Sequence, residues 1–402
     1  MRAGSSCARL FIALLVMQPA AALTAACSDG GAAEQDASDA ADAPAEADAA
    51  GEADDDGGGD VTEEDATVDE AGEADAIEDT GPGDGEEREW VYIRVEDPVP
   101  LGRGVHLMTY DPDRQRVVLV GGQPPGPVPI GDIWEWDGDA WTELLPATTE
   151  LPPRKNHGLA YDRLRGRLLV FGGIYGGLAV DPVYLGDTWS WDGTDWIDRS
   201  DPAADPPPRA GHGMAYDESR QRVVMFGGGG EVSSYNDTWE WDGETWAEVP
   251  IDRFDRPVGR FNTRLVYDSG RERILMFGGH TWSGEPLNDL WEFDGAAWTR
   301  LAPEGDAVPD GRGFFGLTYD TDRGVVVLYG GTTAWPPFID ATNIFDDHWE
   351  WDGVSWTLVL EGSSGPGRLS GHALAYDEGR GRVVLFGGSD DGTALLDRTF
   401  EY

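Results

Sequence analysis

Between residues 103 and 402, apolar and polar positions follow one phrase, repeated six times. Each copy opens on a short alternating run that closes in Tyr-Asp: Tyr110-Asp111, Tyr161-Asp162, Tyr216-Asp217, Tyr267-Asp268, Tyr319-Asp320 and Tyr376-Asp377. The intervals between these pairs are 51, 55, 51, 52 and 57 residues. An unbroken apolar run follows each pair and ends in Gly-Gly, as at Gly227-Gly228. Then comes W-E-W-D-G-x-x-W, written in full from Trp134 to Trp141 and from Trp239 to Trp246, and with small changes in three other copies. A fixed period of this length is the mark of a repeat architecture in which each unit buries its apolar faces against its neighbours.

The phrase predicts four short strands per copy. The run before Tyr-Asp alternates and reads as a strand, and Asp217 with Arg220 (a pair present in every copy) braces the turn after it. Residues 222–226 are apolar without interruption, which requires burial on both faces, as in a sheet packed between two others. Gly-Gly ends this strand, where the chain turns sharply or another backbone comes close. In W-E-W, Trp239 and Trp241 share one face and Glu240 takes the other. Asp242-Gly243 makes the next turn, and a fourth strand starts near Trp246. Helices are essentially absent from the pattern.

Six Gly-Gly pairs in phase with six Tyr-Asp pairs and a tryptophan phrase resemble the kelch repeat of β-propellers, over residues 88–402. The propeller is similar to the central domain of galactose-oxidase-type enzymes. The resemblance implies an all-β, six-bladed propeller with four antiparallel strands per blade. The sixth copy stops at Tyr402 without a fourth strand, while residues 89–93 read as a fourth strand standing ahead of the first copy. The N-terminal strand is therefore expected to complete the last blade and leave no open edge.

Charge divides the chain. From residue 28 to residue 87 there are 24 acidic residues and no Lys or Arg, and Val61, Val68 and Ile77 are the only branched aliphatics. Such a stretch cannot bury enough apolar surface to offset the entropy of ordering, so residues 28–88 are expected to be a disordered acidic tether. It carries no D-x-D-x-D-G loop of the kind that takes calcium. The remainder, 27 basic against 52 acidic residues, is still strongly anionic. That excludes nucleic acid as a natural partner and disfavours a basic lipid-docking face. The body, residues 89–402, is expected to be a monomer.

The first 27 residues read as an address. Arg2 and Arg9 precede an apolar run at residues 10–17, Pro19 breaks it, and small residues lead to Cys27. Residues 23–27, Leu-Thr-Ala-Ala-Cys, resemble a bacterial lipobox, with the apolar residue one place early. The resemblance implies export, lipidation at Cys27 and anchoring in the cell envelope, at the outer membrane. Durable anchoring needs more than one acyl chain. The plain alternative is ordinary cleavage near Ala25 or Ala26. Cys7 and Cys27 are the only cysteines, so the body has no disulfide framework, no thiolate metal site and no thiol nucleophile.

Three groups of residues are candidates for chemistry. An arginine opens each copy: Arg103, Arg154, Arg209, Arg260, Arg312 and Arg368. As a ring at the channel mouth they would attract carboxylates or sulfates. As structural residues they would make inter-blade ion pairs with Asp132, Asp187, Asp237, Asp289 and Asp347. His106, His157, His212 and His372 recur just after the arginine, with Thr263 and Phe315 in the other copies. Their scatter over separate blades and the lack of acidic or cysteine co-ligands favour a hydrogen-bonded structural role over a metal ring. Trp282 and Trp335, the latter beside Pro336, Pro337 and Phe338, fall outside the repeat phrase on long loops between strands two and three. They suit a stacking platform for a sugar or peptide, or local packing.

No cofactor is implied. Copper radical oxidases with a kelch propeller use a cysteine cross-linked to a tyrosine, which a cysteine-free body excludes. Kelch propellers that epimerise sialic acid would suit an arginine ring, but no acid/base pair stands out here. The expectation is a binding module that recognises a glycan or an envelope protein through its loops. An enzyme acting on an anionic sugar is the alternative.

Overall fold

Each copy of the phrase folds into one antiparallel four-stranded sheet, and six such sheets make the molecule. The computed structural model describes residues 88–402 apart from 178, 179, 306, 336–338, 363 and 364. Cys27, the acidic stretch and the Pro336 to Phe338 triplet lie outside the described residues. Among the described residues there is no helix.

Blade three shows the plan. Its inner strand, Gly213–Asp217, pairs with Arg222–Phe226, which pairs with Thr238–Trp241, which pairs with the outer strand Trp246–Glu248. Val223, Val224, Met225 and Phe226 are wholly buried, as the unbroken apolar run requires. In the turn, Asp217 accepts the Arg220 backbone N–H at 3.0 Å and the Arg220 side chain at 2.8 Å. Arg220 also reaches Glu240 of the third strand. The same Asp–Arg ion pair forms in blades two, four, five and six. In blade one Arg114 turns instead to Glu135, at 2.6 Å.

The core is divided among the blade joints. Six clusters of buried side chains each draw on two adjacent blades; one joins Val224 and Phe226 of blade three to Leu265 and Met276 of blade four. The outer-strand tryptophans staple the joints further. Trp246 donates to Thr188 of blade two at 3.0 Å, Trp298 to Thr238 of blade three at 2.9 Å, and Trp141 to Thr399 of blade six at 3.0 Å.

The ring closes as the sequence predicts. Val91–Ile93 pairs with Thr399–Glu401 and becomes the outer strand of blade six. Trp90 takes the outer-tryptophan place, with its indole N–H 3.3 Å from His348 Nδ1 and its rings 5.2 Å from Tyr329 and 5.3 Å from Tyr402. Arg88 reaches Asp320 of blade five at 3.1 Å.

One loop differs from expectation. Residues 174–177 and 180–186, which the sequence places in a loop after Gly172-Gly173, are the ends of two long strands, Arg167–Gly177 and Val180–Trp191, with Ile174 opposite Tyr184 and Tyr175 opposite Val183. Branched and aromatic cross-strand pairs carry the ladder past the Gly-Gly that ends it elsewhere.

Candidate binding face

The repeated arginines sit where each inner strand begins. Arg209 grips Asp237 with both terminal guanidinium nitrogens, at 2.6 and 2.8 Å, and gives two further donors to the carbonyls of Gly227 and Pro207. Burial alone would push the Asp237 carboxyl up. The bonds from Arg209 and from the Trp239 indole outweigh that and hold it below its ordinary value. Arg103, Arg154, Arg260 and Arg312 repeat the fork onto Asp132, Asp187, Asp289 and Asp347. All five arginine side chains have zero exposure, so none is open to a ligand.

Two sequence expectations need correction. The aspartate partners are the ones anticipated, but arginine and aspartate belong to the same blade, so the side-chain pair clamps a blade to itself. The inter-blade link is the arginine's backbone: the Arg209 carbonyl accepts the Gly173 N–H of blade two at 2.9 Å. Gly173 has φ +102°, and a Cβ on Gly172 would stand 2.7 Å from that carbonyl, which is why the pair must be glycine. Secondly, Arg368 is not the sixth member. Leu369 is, since its carbonyl accepts the equivalent bond, from Gly331 at 2.8 Å. Arg368 stands one residue earlier with half its side chain exposed, 3.9 Å from Asp346.

The four recurrent histidines are structural. Each is buried at a blade joint, and His106, His212 and His372 meet Phe386, Phe171 and Tyr329 of the preceding blade edge-on at 5.6, 5.6 and 5.8 Å. Phe315 does the same against Phe277. Three of the rings find their hydrogen-bond partner in the backbone of the preceding blade, His106 at Phe386, His212 at Phe171 and His372 at Tyr329. Burial, helped by nearby arginines, lowers the pKa of all four, for His157 and His372 to about 3.

One residue ahead of each of these lies a backbone ring around the axis. Val105, Asn156, Gly211, Asn262, Phe314 and Gly371 all have positive φ. Val105 N–H donates to Gly371, Asn156 to Val105, Gly211 to Asn156, Asn262 to Gly211 and Gly371 to Phe314, over 2.6–3.0 Å. Among the described residues the sixth link, Phe314 to Asn262, is not made. At the opposite, hairpin end, Arg163 of blade two pairs with Glu218 of blade three and Glu378 of blade six, and so spans the channel mouth. Between lies a cavity of about 180 Å³ lined by all six inner strands.

The open link of the ring is covered by aromatic side chains. Phe261, at the start of blade four, has Trp335 at 5.5 Å, His280 at 6.1 Å and Trp282 at 6.4 Å between ring centres, and His280 lies 6.1 Å from Phe314. His280 is fixed to the Thr333 carbonyl at 3.2 Å. Burial brings its pKa to about 4. Phe261, His280 and Phe314 are buried, while Trp282 is 37% exposed and Trp335 half-buried. The two loop tryptophans are thus brought together, on the face that carries the long loops.

This arrangement of blades, glycine pairs and closure has known counterparts. The KLHDC2/KLHL20/DRC7 Kelch-repeats domain matches residues 77–251 and again 195–388. The chain belongs to the kelch-repeat family. Curated relatives include Mei4-dependent protein 6 of Schizosaccharomyces pombe, 24% identical over 48% of this chain and 30% of that protein. Another is the F-box/kelch-repeat protein At1g51550 of Arabidopsis thaliana, 28% identical over 50% of this chain and 43% of that protein. The chain thus spans less than half the length of these relatives. A kelch propeller suggests a protein-interaction module.

Two charged residues of this kelch propeller fall outside the three candidate groups read from the sequence. Lys155, the only lysine of the chain, is 2% exposed and donates to Gln123 at 2.8 Å; burial lowers its pKa to about 8. Gln123 is itself held by the carbonyls of Pro124, Gly126 and Val128. Arg264 opens the inner strand of blade four at a place occupied by Leu107, Gly158, Gly213, Gly316 and Ala373 in the other blades. Aligning the six copies column by column exposes it as a charge among small and apolar residues.

Proposed function

We propose that this kelch propeller is a non-enzymatic interaction module, anchored in the bacterial cell envelope, that takes a glycan or protein on its loop face at blades four and five. The observation that carries this is the group formed by Phe261, Trp282 and Trp335. Two indoles on a buried aromatic base, one of them over a third exposed, form a preorganised surface for the apolar face of a sugar ring or for an aromatic or aliphatic side chain. The blade frame beneath is rigid, so little ordering opposes binding. Export and a lipid at Cys27, read from the first 27 residues, would hold the module at the outer membrane by its acidic tether. The alternative of an enzyme on an anionic sugar drew on the arginines, and five of those six are shut in ion pairs.

The test is a glycan array and an envelope-extract pull-down with the chain starting at residue 88, beside Trp282→Ala and Trp335→Ala. A ligand lost by roughly tenfold or more in either variant, at unchanged melting temperature, supports the site. Ligands that bind the variants as well as the parent overturn it. For the anchor, Cys27→Ser should move the full chain from the membrane to the soluble fraction; a variant that stays with membranes refutes lipidation as its hold.

A further inference from the structure

Arg264 is the one inner-strand opener with a charge, and nothing neutralises it. Its guanidinium carries five N–H donors, of which one is used, to the Thr263 carbonyl at 3.2 Å. Among the described residues no carboxylate lies within ion-pair distance of it. Arg264 is half-buried, and a cation held partly away from bulk water without a partner is costly; proteins answer that cost by pairing it, neutralising it or giving it a ligand. Neutralisation does not apply, since burial brings Arg264 only to about 10.

Three observations place the charge at the axis. Arg264 begins an inner strand one residue from Leu265, which lines the axial cavity. Its charge lowers the pKa of His157, His212 and His372, which belong to blades two, three and six, on both sides of blade four. Three of the five equivalent positions are glycine, and a Cβ at Gly213 or Gly316 would strike Leu265 or Leu374 at 2.3 and 2.5 Å. Blades two, three and five thus carry no side chain at this level, blade six only the methyl of Ala373 and blade one the apolar Leu107. Arg264 also lies two residues from Asn262, beside the one open link of the backbone ring, while the hairpin end is spanned by Arg163 and its two glutamates.

We propose that the axial space beside Arg264 holds a small inorganic anion, of halide to oxyanion size, as a structural ligand of the propeller. The free guanidinium donors supply its bonds. A halide carries one charge and needs no particular geometry; an oxyanion could take the fork in two bonds.

The experiment is thermal unfolding of the full chain in sodium bromide, with sodium gluconate making up constant ionic strength, for the parent and for Arg264→Leu. Leucine is the resident of the same position in blade one, at Leu107, so the variant has a precedent in the fold. The parent should gain about 2–4 °C for each tenfold rise in bromide once the site fills, and Arg264→Leu should gain nothing. A parent indifferent to the choice of anion, or a variant that responds as the parent does, overturns the proposal and leaves Arg264 solvated by water. Should the variant fail to fold, calorimetric titration of the parent with bromide decides. Saturation at one ion per chain supports the site, and no saturable heat overturns it.

Discussion

Leu369 and Arg398 stand in blade six where the other five blades hold the buried arginine and its aspartate. Their backbones keep the plan: the Leu369 carbonyl accepts from Gly331 at 2.8 Å and the Arg398 carbonyl from Gly387 at 3.2 Å. Phe400 replaces the tryptophan whose indole binds the aspartate elsewhere. All three members of the clamp are therefore exchanged together. An arginine alone, or an aspartate alone, would leave a buried charge without its partner.

This makes the clamp testable as a unit. Arg209→Leu should destabilise by about 3–5 kcal/mol, because Asp237 keeps its charge and loses its fork. Adding Asp237→Arg and Trp239→Phe, which copies blade six into blade three, should recover most of that loss. Denaturant unfolding of the single and triple variants measures both. Equal stability of the two would show that the clamp does not act as a unit.

Closure should depend on a few residues. A chain starting at residue 88 should unfold cooperatively, and one starting at residue 98 should melt well below it, since blade six loses its outer strand. Trp90→Ala should cost about 3–5 kcal/mol, the range for emptying a buried tryptophan site. Coincident melting of the two truncated chains would contradict the closure.

Mild acid should weaken the molecule through its buried histidines. Their folded pKa values lie below the ordinary 6.5, so the unfolded chain binds the extra protons. The stability is complete above pH 6.5 and is lost as the pH falls toward the folded values, about 3 for His157 and His372. Each ring should cost about 1.4 kcal/mol per pH unit once the pH is well below 6.5. His212→Phe, which copies Phe315 of blade five, should flatten the slope between pH 6 and 5 by one such increment. Unfolding free energies at these two pH values give the slope directly.

Lys155 should act at the alkaline end. Its folded pKa, about 8, lies below the ordinary 10.5, so the unfolded chain holds more protons between these values. Unfolding free energy should rise by about 1–2 kcal/mol from pH 7.5 to 9.5 on its account. The difference between parent and Lys155→Met over that interval isolates it, and parallel curves would exclude a buried ammonium.

Blade number, strand order and closure are legible in the sequence because the repeat imposes them six times, and each column of the phrase has one physical duty. The site is legible only in part. Trp282 and Trp335 stand out as tryptophans off the phrase, but their meeting over Phe261 depends on how two neighbouring blades set their loops. Matching columns by residue identity selects Arg368, where the backbone register selects Leu369. Arg264 is hidden because its own copy looks ordinary; only comparison with Gly213 and Gly316 reveals a charge where others have no side chain. The strands past residue 174 are hidden because Gly-Gly stops the ladder in the other blades.

The closing strand also decides how the molecule bears force. Any pull on the chain ahead of Arg88 enters the propeller through Val91–Ile93, three residues laddered to Thr399–Glu401. Load therefore falls first on that short ladder, on the Arg88–Asp320 contact and on the Trp90 wedge, before any other blade feels it. Tension from the N-terminal side would peel blade six open at its rim and leave the remaining five blades intact for the moment, so that the seam which ties the ring is also its mechanical fuse.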